Sequence, residues 1–193
     1  VRPGTTGLST FPADGDAVVV GASGGIGAAI ADVVAASGRF GTVHRLARSG
    51  TPAVDVTDEA SLAAAAERFV AAGRPLRLLV VASGLLHGEG LAPEKSLADL
   101  DPARLARAFA VNATGPALVL KHFAPHLPRE GKAVAAAISA KVGSIEDNRI
   151  GGWYAYRASK AALNQLVRTA AIEIGRRRRQ AALVALHPGT VDT

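Results

Sequence analysis

Two short stretches of this chain carry residue types and spacings that could do chemistry. In the first, Gly21-Ala22-Ser23-Gly24-Gly25-Ile26-Gly27 sets glycines at 21, 25 and 27 in a GxxxGxG spacing. Glycine is needed where a side chain would block a ligand's approach to the backbone. A helix starting at such a turn offers free N–H groups and the positive end of its dipole to a pyrophosphate. A mere tight turn between strand and helix is the alternative reading. In the second stretch, Tyr156-Arg157-Ala158-Ser159-Lys160 puts a lysine one helical turn beyond a tyrosine on the same face. A neighbouring ammonium favours phenolate, so the spacing predicts a tyrosine pKa lowered toward the working range of a general acid/base. Trp153 and Tyr154 beside it read as core or pocket-wall packing.

A third position bears on which dinucleotide would fit. An acid at the end of the second strand, about 20 residues after the glycines, usually bonds the ribose 2′-hydroxyl of NAD. Here the segment reads Thr42-Val43-His44-Arg45-Leu46-Ala47-Arg48-Ser49, with no acid. Arg48 and Ser49 stand where a 2′-phosphate could be paired and hydrogen-bonded, which predicts NADP(H) ahead of NAD(H). A solvated surface arginine is the competing reading of Arg48.

The elements that must position these residues follow from the hydrophobic pattern. Ala17–Gly21 is a short apolar run, and Ile26–Ser37 has helical spacing stopped by Gly38, which gives strand, glycine turn, helix. Thr42–Ala47 reads as a second strand. Thr57 opens a capped alanine-rich helix to about Ala72, and Leu76–Ala82 is a third strand. Asp101-Pro102 starts a long helix with Asp as cap and Pro in the first turn. Ala133–Ile138 is a buried strand, Lys141–Gly152 a glycine-rich loop, Trp153–Gly175 a long helix and Ala181–Leu186 a final strand. Apolar strands without alternation, separated by helices, indicate parallel strands covered on both faces. The predicted fold is α/β, a Rossmann-type doubly wound parallel sheet in a single domain over residues 15–193, after a flexible leader at residues 1–14.

Composition narrows the function classes. The chain has 193 residues, 49% hydrophobic and only 4% aromatic, so alanine, valine and leucine must fill a substantial core. No apolar run approaches the roughly 18 residues a membrane span needs, so the expectation is a cytoplasmic protein with no membrane partner. Cysteine is absent, which removes disulfides and thiolate chemistry. His122 and His126 are spaced i, i+4 but lack an HExxH context and have Pro125 between them, so no metal is predicted. The +6 charge invites a nucleic-acid partner. Arg176, Arg177, Arg178 and Arg179, however, cluster where a helix ends, with no interleaved aromatics, so solvated helix-end cations and no nucleic acid are expected. The absence of methionine even at position 1 suggests that Val1 is not the native start, or that some residues are missing from the sequence.

GxxxGxG near the start and YxxxK about 130 residues later resemble the short-chain dehydrogenases/reductases, over nearly the whole chain. Gly143-Ser144-Ile145, Gly151-Gly152-Trp153-Tyr154-Ala155-Tyr156 and the Pro93-Glu94-Lys95-Ser96-Leu97 segment are similar to the C-factor-type, carbonyl-reductase-like branch, which includes signalling-associated members. The resemblance implies that Tyr156 is the proton donor to a substrate carbonyl. Lys160 would be its pKa modulator and a ligand of the nicotinamide ribose, and Asn112 would hold a water in a proton relay. It implies cofactor contacts from Gly21, Ser23, Gly24, Gly25, Ile26 and Gly27, from Asp55 and Val56 at the adenine, from Gly84, and from Pro188, Gly189 and Thr193 at the nicotinamide side. It implies a small-molecule carbonyl or alcohol substrate and a homo-oligomer, dimer or tetramer, with Ala106, Ala113, Ala161 and Ala162 permitting close helix approach.

Two departures qualify this. Val81-Ala82-Ser83-Gly84 stands where relatives carry Asn-Asn-Ala-Gly, and Ser139-Ala140 stands where they carry a Ser-Ser pair whose second member is catalytic. Ser139 is taken as the replacement hydroxyl and Ser144 as the alternative. The chain also ends at Thr193, where relatives continue through a substrate-covering segment, so that segment is expected to be absent. The leading expectation is an NADP(H)-dependent oxidoreductase. The alternative is a weakly catalytic or non-catalytic dinucleotide-binding signalling or scaffold protein of the same fold.

Overall fold

The apolar runs become one parallel sheet, β1 (Asp16–Val20), β2 (Val43–Leu46), β3 (Leu76–Val81), β4 (Ala133–Ile138) and β5 (Ala181–Leu186), in the order β2-β1-β3-β4-β5. The computed structural model describes residues 7–88 and 92–189. Val18 pairs with His44 on one side and Leu79 on the other, and Ala135 bridges Leu79 and Leu183. Chain winding reverses at β1, which opens a crevice between β1 and β3 at the carboxyl ends of the strands, the usual ligand position in open α/β sheets.

Successive residues of a strand face opposite sides, and the two cores follow that period. Val18, Val20, Leu79 and Val81 face a layer built by α2 (Glu59–Ala71), α4 (Gly115–Phe123) and α5 (Tyr154–Gly175). Ala17, Val19, Leu78 and Val80 face α1 (Gly25–Ala36) together with Phe11 and Phe40. Of the expected leader, residues 7–14 are described. They hold a 3₁₀ turn at Gly7–Thr10 and the buried Phe11, whose ring lies 5.3 Å from that of Phe40.

Three helix boundaries differ from the sequence reading. Asp55 Oδ1 accepts from both the backbone N–H (2.8 Å) and the hydroxyl (2.7 Å) of Thr57, so Asp58 caps α2 instead and accepts from Ala60 N–H. The long helix after Asp101 is interrupted. α3 (Pro102–Phe109) passes through a π-type turn at Ala110–Thr114 before α4, and such turns mark places where a side chain competes for the backbone ladder. α5 starts at Tyr154, because Trp153 adopts left-handed φ 55 and ψ 42.

Of the arginine run, Arg176, Arg177 and Arg179 are exposed as expected. Arg178 instead donates through Nε to the Leu127 carbonyl (2.6 Å) and through Nη2 to that of Pro125. Among the described residues no helix is long and apolar enough to cross a membrane.

Candidate active site

The glycine turn is built by close approach. Gly21 has φ +84, and a Cβ there would lie 2.9 Å from the Ala82 carbonyl carbon and the Ser83 nitrogen. A Cβ on Gly27 would lie 2.1 Å from the Gly21 carbonyl oxygen, so α1 can start against the turn only without a side chain at that position. The result is a groove of about 400 Å³ at the carboxyl ends of β1, β2 and β3. Gly21, Ser23, Gly24 and Gly84 line it, with Arg48, Asp55 and Val56 at the end beside β2. Gly25 and Ile26 form the first turn of α1, and with Gly27 they shape the groove without lining it; Ser49 also lies outside the lining. Pro188 and Gly189 follow β5 on an exposed stretch outside the groove, and Thr193 lies outside the described residues.

Among the groove residues that the sequence reading missed are Arg107 on α3 and His87. Arg107 could be placed only by the packing of α3, since a helical arginine six residues past a cap looks like any solvated one. The Asp55 carboxyl is held below its ordinary range, first by the Thr57 N–H and hydroxyl and then by the Arg48 and Arg107 guanidinium groups. These features fit a nucleotide with phosphate groups: a tightly wound glycine turn at a helix start, and two arginines at one end. The Ser83 hydroxyl is buried on the groove wall with no hydrogen-bond partner among the described residues, an uncompensated cost of the kind that ligand sites tolerate.

Where the groove reaches Gly84 it meets α5. A Cβ on Gly84 would lie 3.6 Å from Lys160 Nζ and 3.8 Å from Asn112 Oδ1, which brings these residues to one point. Asn112, fully buried in the π-type turn, accepts from Leu85 N–H (2.7 Å) and donates to the Leu85 carbonyl (2.8 Å) and Ser159 Oγ (3.1 Å). The Ser159 hydroxyl donates in turn to the Tyr156 carbonyl (2.9 Å). The Asn112 amide thus ties the segment after β3 to the first turns of α5.

Lys160 is buried, and its Nζ donates to the Ile138 carbonyl (2.9 Å), 5.7 Å from the centre of the Tyr156 ring. Burial lowers its pKa from 10.5 to about 8. Burial also raises the Tyr156 pKa above its ordinary 10.0, opposite to the expected lowering. Desolvation of the phenolate outweighs an ammonium that is turned toward Ile138. Tyr156 is therefore held as the neutral phenol.

The structure does not bring Ser139 to this group. Its hydroxyl donates to Asn164 Oδ1 at 2.7 Å, and with Ala140, Ser144 and His187 it lines a separate cavity of about 410 Å³. Ser144 Oγ accepts from Asp147 N–H at 3.3 Å. Strand alternation explains the outcome for Ser139, since β4 runs to Ile138 and the next side chain turns toward α5 at Asn164 rather than at Tyr156. A Cβ on Gly143 would lie 2.9 Å from the Lys160 carbonyl carbon, so this loop seats directly on α5.

Fold and groove together define a dinucleotide-binding α/β protein of the Rossmann type. Residues 16–193 match the short chain dehydrogenase family, and the chain belongs to it. It is 41% identical to the C-signal of Myxococcus xanthus over 98 residues, 51% of this chain and 58% of that protein. It is 32% identical to cis-4-hydroxycyclohexanecarboxylate dehydrogenase of Sinomonas cyclohexanicum over 192 residues, covering 92% and 73% of the two chains. Among solved structures it is similar to NADPH-bound carbonyl reductase from chicken fatty liver, with TM-score 0.76, 26% identity and coverage of 95% and 81%.

Proposed function

We propose that the protein is an NADP(H)-dependent oxidoreductase acting on a small carbonyl or alcohol, with Tyr156 as general acid/base. The observation that carries this reading is the convergence of Gly84, Asn112 and Lys160 where the nucleotide groove meets the helix bearing Tyr156. The nicotinamide would supply or accept the hydride. Tyr156 would give its phenolic proton to the substrate oxygen. Lys160 would bond the ribose and place its charge beside that proton, and Asn112 would fix the α5 backbone and hold a water behind Lys160. Arg48, with Ser49 beside it, would pair the 2′-phosphate. A carbonyl reductase with bound NADPH among the structural relatives supports the cofactor class.

The test titrates NADPH and NADH against the fluorescence of Trp153, the single tryptophan, whose ring lies 6.3 Å from that of Tyr156. NADPH is expected to bind at least tenfold more tightly, about 1.4 kcal/mol, and Arg48→Ala to erase the difference. Equal affinities in the parent would reject the assignment.

We also propose a homo-oligomer formed through α3, α4 and α5. Leu166 and Ile172 on α5 are 40% and 48% exposed, an apolar surface such an interface would cover. Ala113 is buried within the fold and cannot take part; Ala106, Ala161 and Ala162 are not fully covered. Sedimentation at micromolar concentration should show a dimer or tetramer, and a monomer alone would overturn this.

One observation favours the second reading, a dinucleotide-binding signalling or scaffold protein with weak turnover. The Ser139 hydroxyl, the natural partner for a developing alkoxide, is taken by Asn164. The C-signal relative bears on the same reading. Tight NADPH binding without turnover of a panel of aldehydes and ketones would establish it over the first.

A further inference from the structure

Neither the glycine groove nor the Tyr156–Lys160 pair accounts for Glu94. It lies in the connection between β3 and α3, where Lys95, Ser96 and Leu97 are exposed, yet it is only 5% exposed. A carboxylate is removed from water at high cost unless something bonds it. Here its Oε2 accepts from Ala155 N–H at 3.2 Å, and its main-chain carbonyl accepts from Trp153 N–H at 2.6 Å. Gly152 closes the contact: a Cβ there would lie 3.4 Å from the same carbonyl.

Both donors belong to the start of α5. A helix leaves its first N–H groups without internal partners, and a Ser, Thr, Asp or Asn at the cap position usually answers one of them. The cap position of α5 is Trp153, which has no side-chain oxygen and makes no capping bond. Gly151, Gly152 and Trp153 all have positive φ, at 72, 67 and 55, and for tryptophan that conformation must be held by its surroundings. Glu94 supplies from a distant loop both the missing cap acceptor and the main-chain anchor for Trp153. A carboxylate also suits the positive end of the helix dipole. The residue after Ala155 is Tyr156. Starting the helix one residue earlier or later would turn the tyrosine by about 100° around the axis.

We propose that Glu94 is a positioning residue for Tyr156: it caps α5 from the β3–α3 connection and thereby fixes where the catalytic tyrosine points. The inference rests on the reading of Tyr156 as proton donor, and the experiment separates the two. In the full chain, Glu94→Ala removes the acceptor, whereas Glu94→Gln keeps a carbonyl oxygen at the same reach. Glu94→Asp, one methylene short, serves as the second truncation should the alanine variant fail to fold.

Hydrogen exchange at the Ala155 amide, kcat for carbonyl reduction and the NADPH Kd are measured for each variant. The truncations are expected to speed exchange at Ala155 at least tenfold and lower kcat about tenfold, with the Kd within twofold of the parent. Glu94→Gln should restore exchange and kcat to within threefold of the parent. The proposal is overturned if a truncation leaves exchange and kcat at parent values, if Glu94→Gln is as impaired as the truncations, or if the Kd weakens in step with kcat. A parent that reduces no carbonyl would overturn the reductase reading instead, and the contrast in exchange between the truncations and glutamine would still decide whether Glu94 holds the start of α5.

Discussion

Tyr156→Phe is expected to lower kcat/KM for carbonyl reduction by at least about 10³-fold, or about 4 kcal/mol of transition-state stabilisation, while the NADPH Kd stays within twofold of the parent. The substitution removes one hydroxyl and leaves the ring, which is half-buried and meets the Trp153 ring at 72°. Because burial raises the Tyr156 pKa, the group would enter a reduction as neutral phenol, and its contribution would be the proton it can give. The serines nearest to it in the fold are committed elsewhere. Ser139 is engaged with Asn164, and Ser159 donates to the Tyr156 carbonyl from inside the helix. Single-turnover measurement with saturating NADPH isolates the chemical step. A phenylalanine variant that kept most of the parent rate with cofactor bound would remove Tyr156 from the mechanism.

Lys160→Met should separate stability from function in opposite directions. The folded chain holds this lysine with a pKa of about 8 against an ordinary 10.5, so the charged form is disfavoured by folding. The cost is fully present below pH 8, about 3 kcal/mol, and it fades as pH rises toward 10.5, where the unfolded chain also loses the proton. Methionine fills a similar volume without charge. It gives up the bond to the Ile138 carbonyl, worth about 1 kcal/mol. The net expectation at pH 6–7 is a ligand-free protein about 2 kcal/mol more stable, a rise in Tm of about 5 °C, with the gain gone near pH 10.5. Carbonyl reduction and NADPH affinity should both fall by at least tenfold. In the parent, kcat/KM should decline as pH rises through about 8 with loss of the ammonium, and the methionine variant should lack that step. A variant destabilised at pH 6 would show that Lys160 is not a strained buried charge.

The glycine spacing, the apolar runs and the Tyr-x-x-x-Lys repeat were legible in the chain because each is a local pattern. Backbone approach demands glycine, a parallel strand buried on both faces demands continuous apolar residues, and one helical turn fixes the offset of tyrosine and lysine. Five strands and the glycine turn at Gly21–Gly27 follow from such patterns. Packing decided what no local pattern carries. Asn112 acts by bridging Leu85 to Ser159, 27 and 47 residues away, from a π-type turn that helical spacing does not announce.

The direction of the Tyr156 pKa depended on how deeply the ring is buried, and Lys160 turns toward Ile138 at the end of β4, both set by how α5 seats in the fold. Arg107 entered the groove and Ser139 was turned to Asn164 only through the seating of helices on the sheet. Glu94, which as a sequence character reads as a surface charge in a polar loop, became the cap of α5 across 61 residues. Short-range spacing fixes which residues share a turn or a face, whereas burial and hydrogen-bond partnership are properties of surfaces that meet only when distant segments fold together.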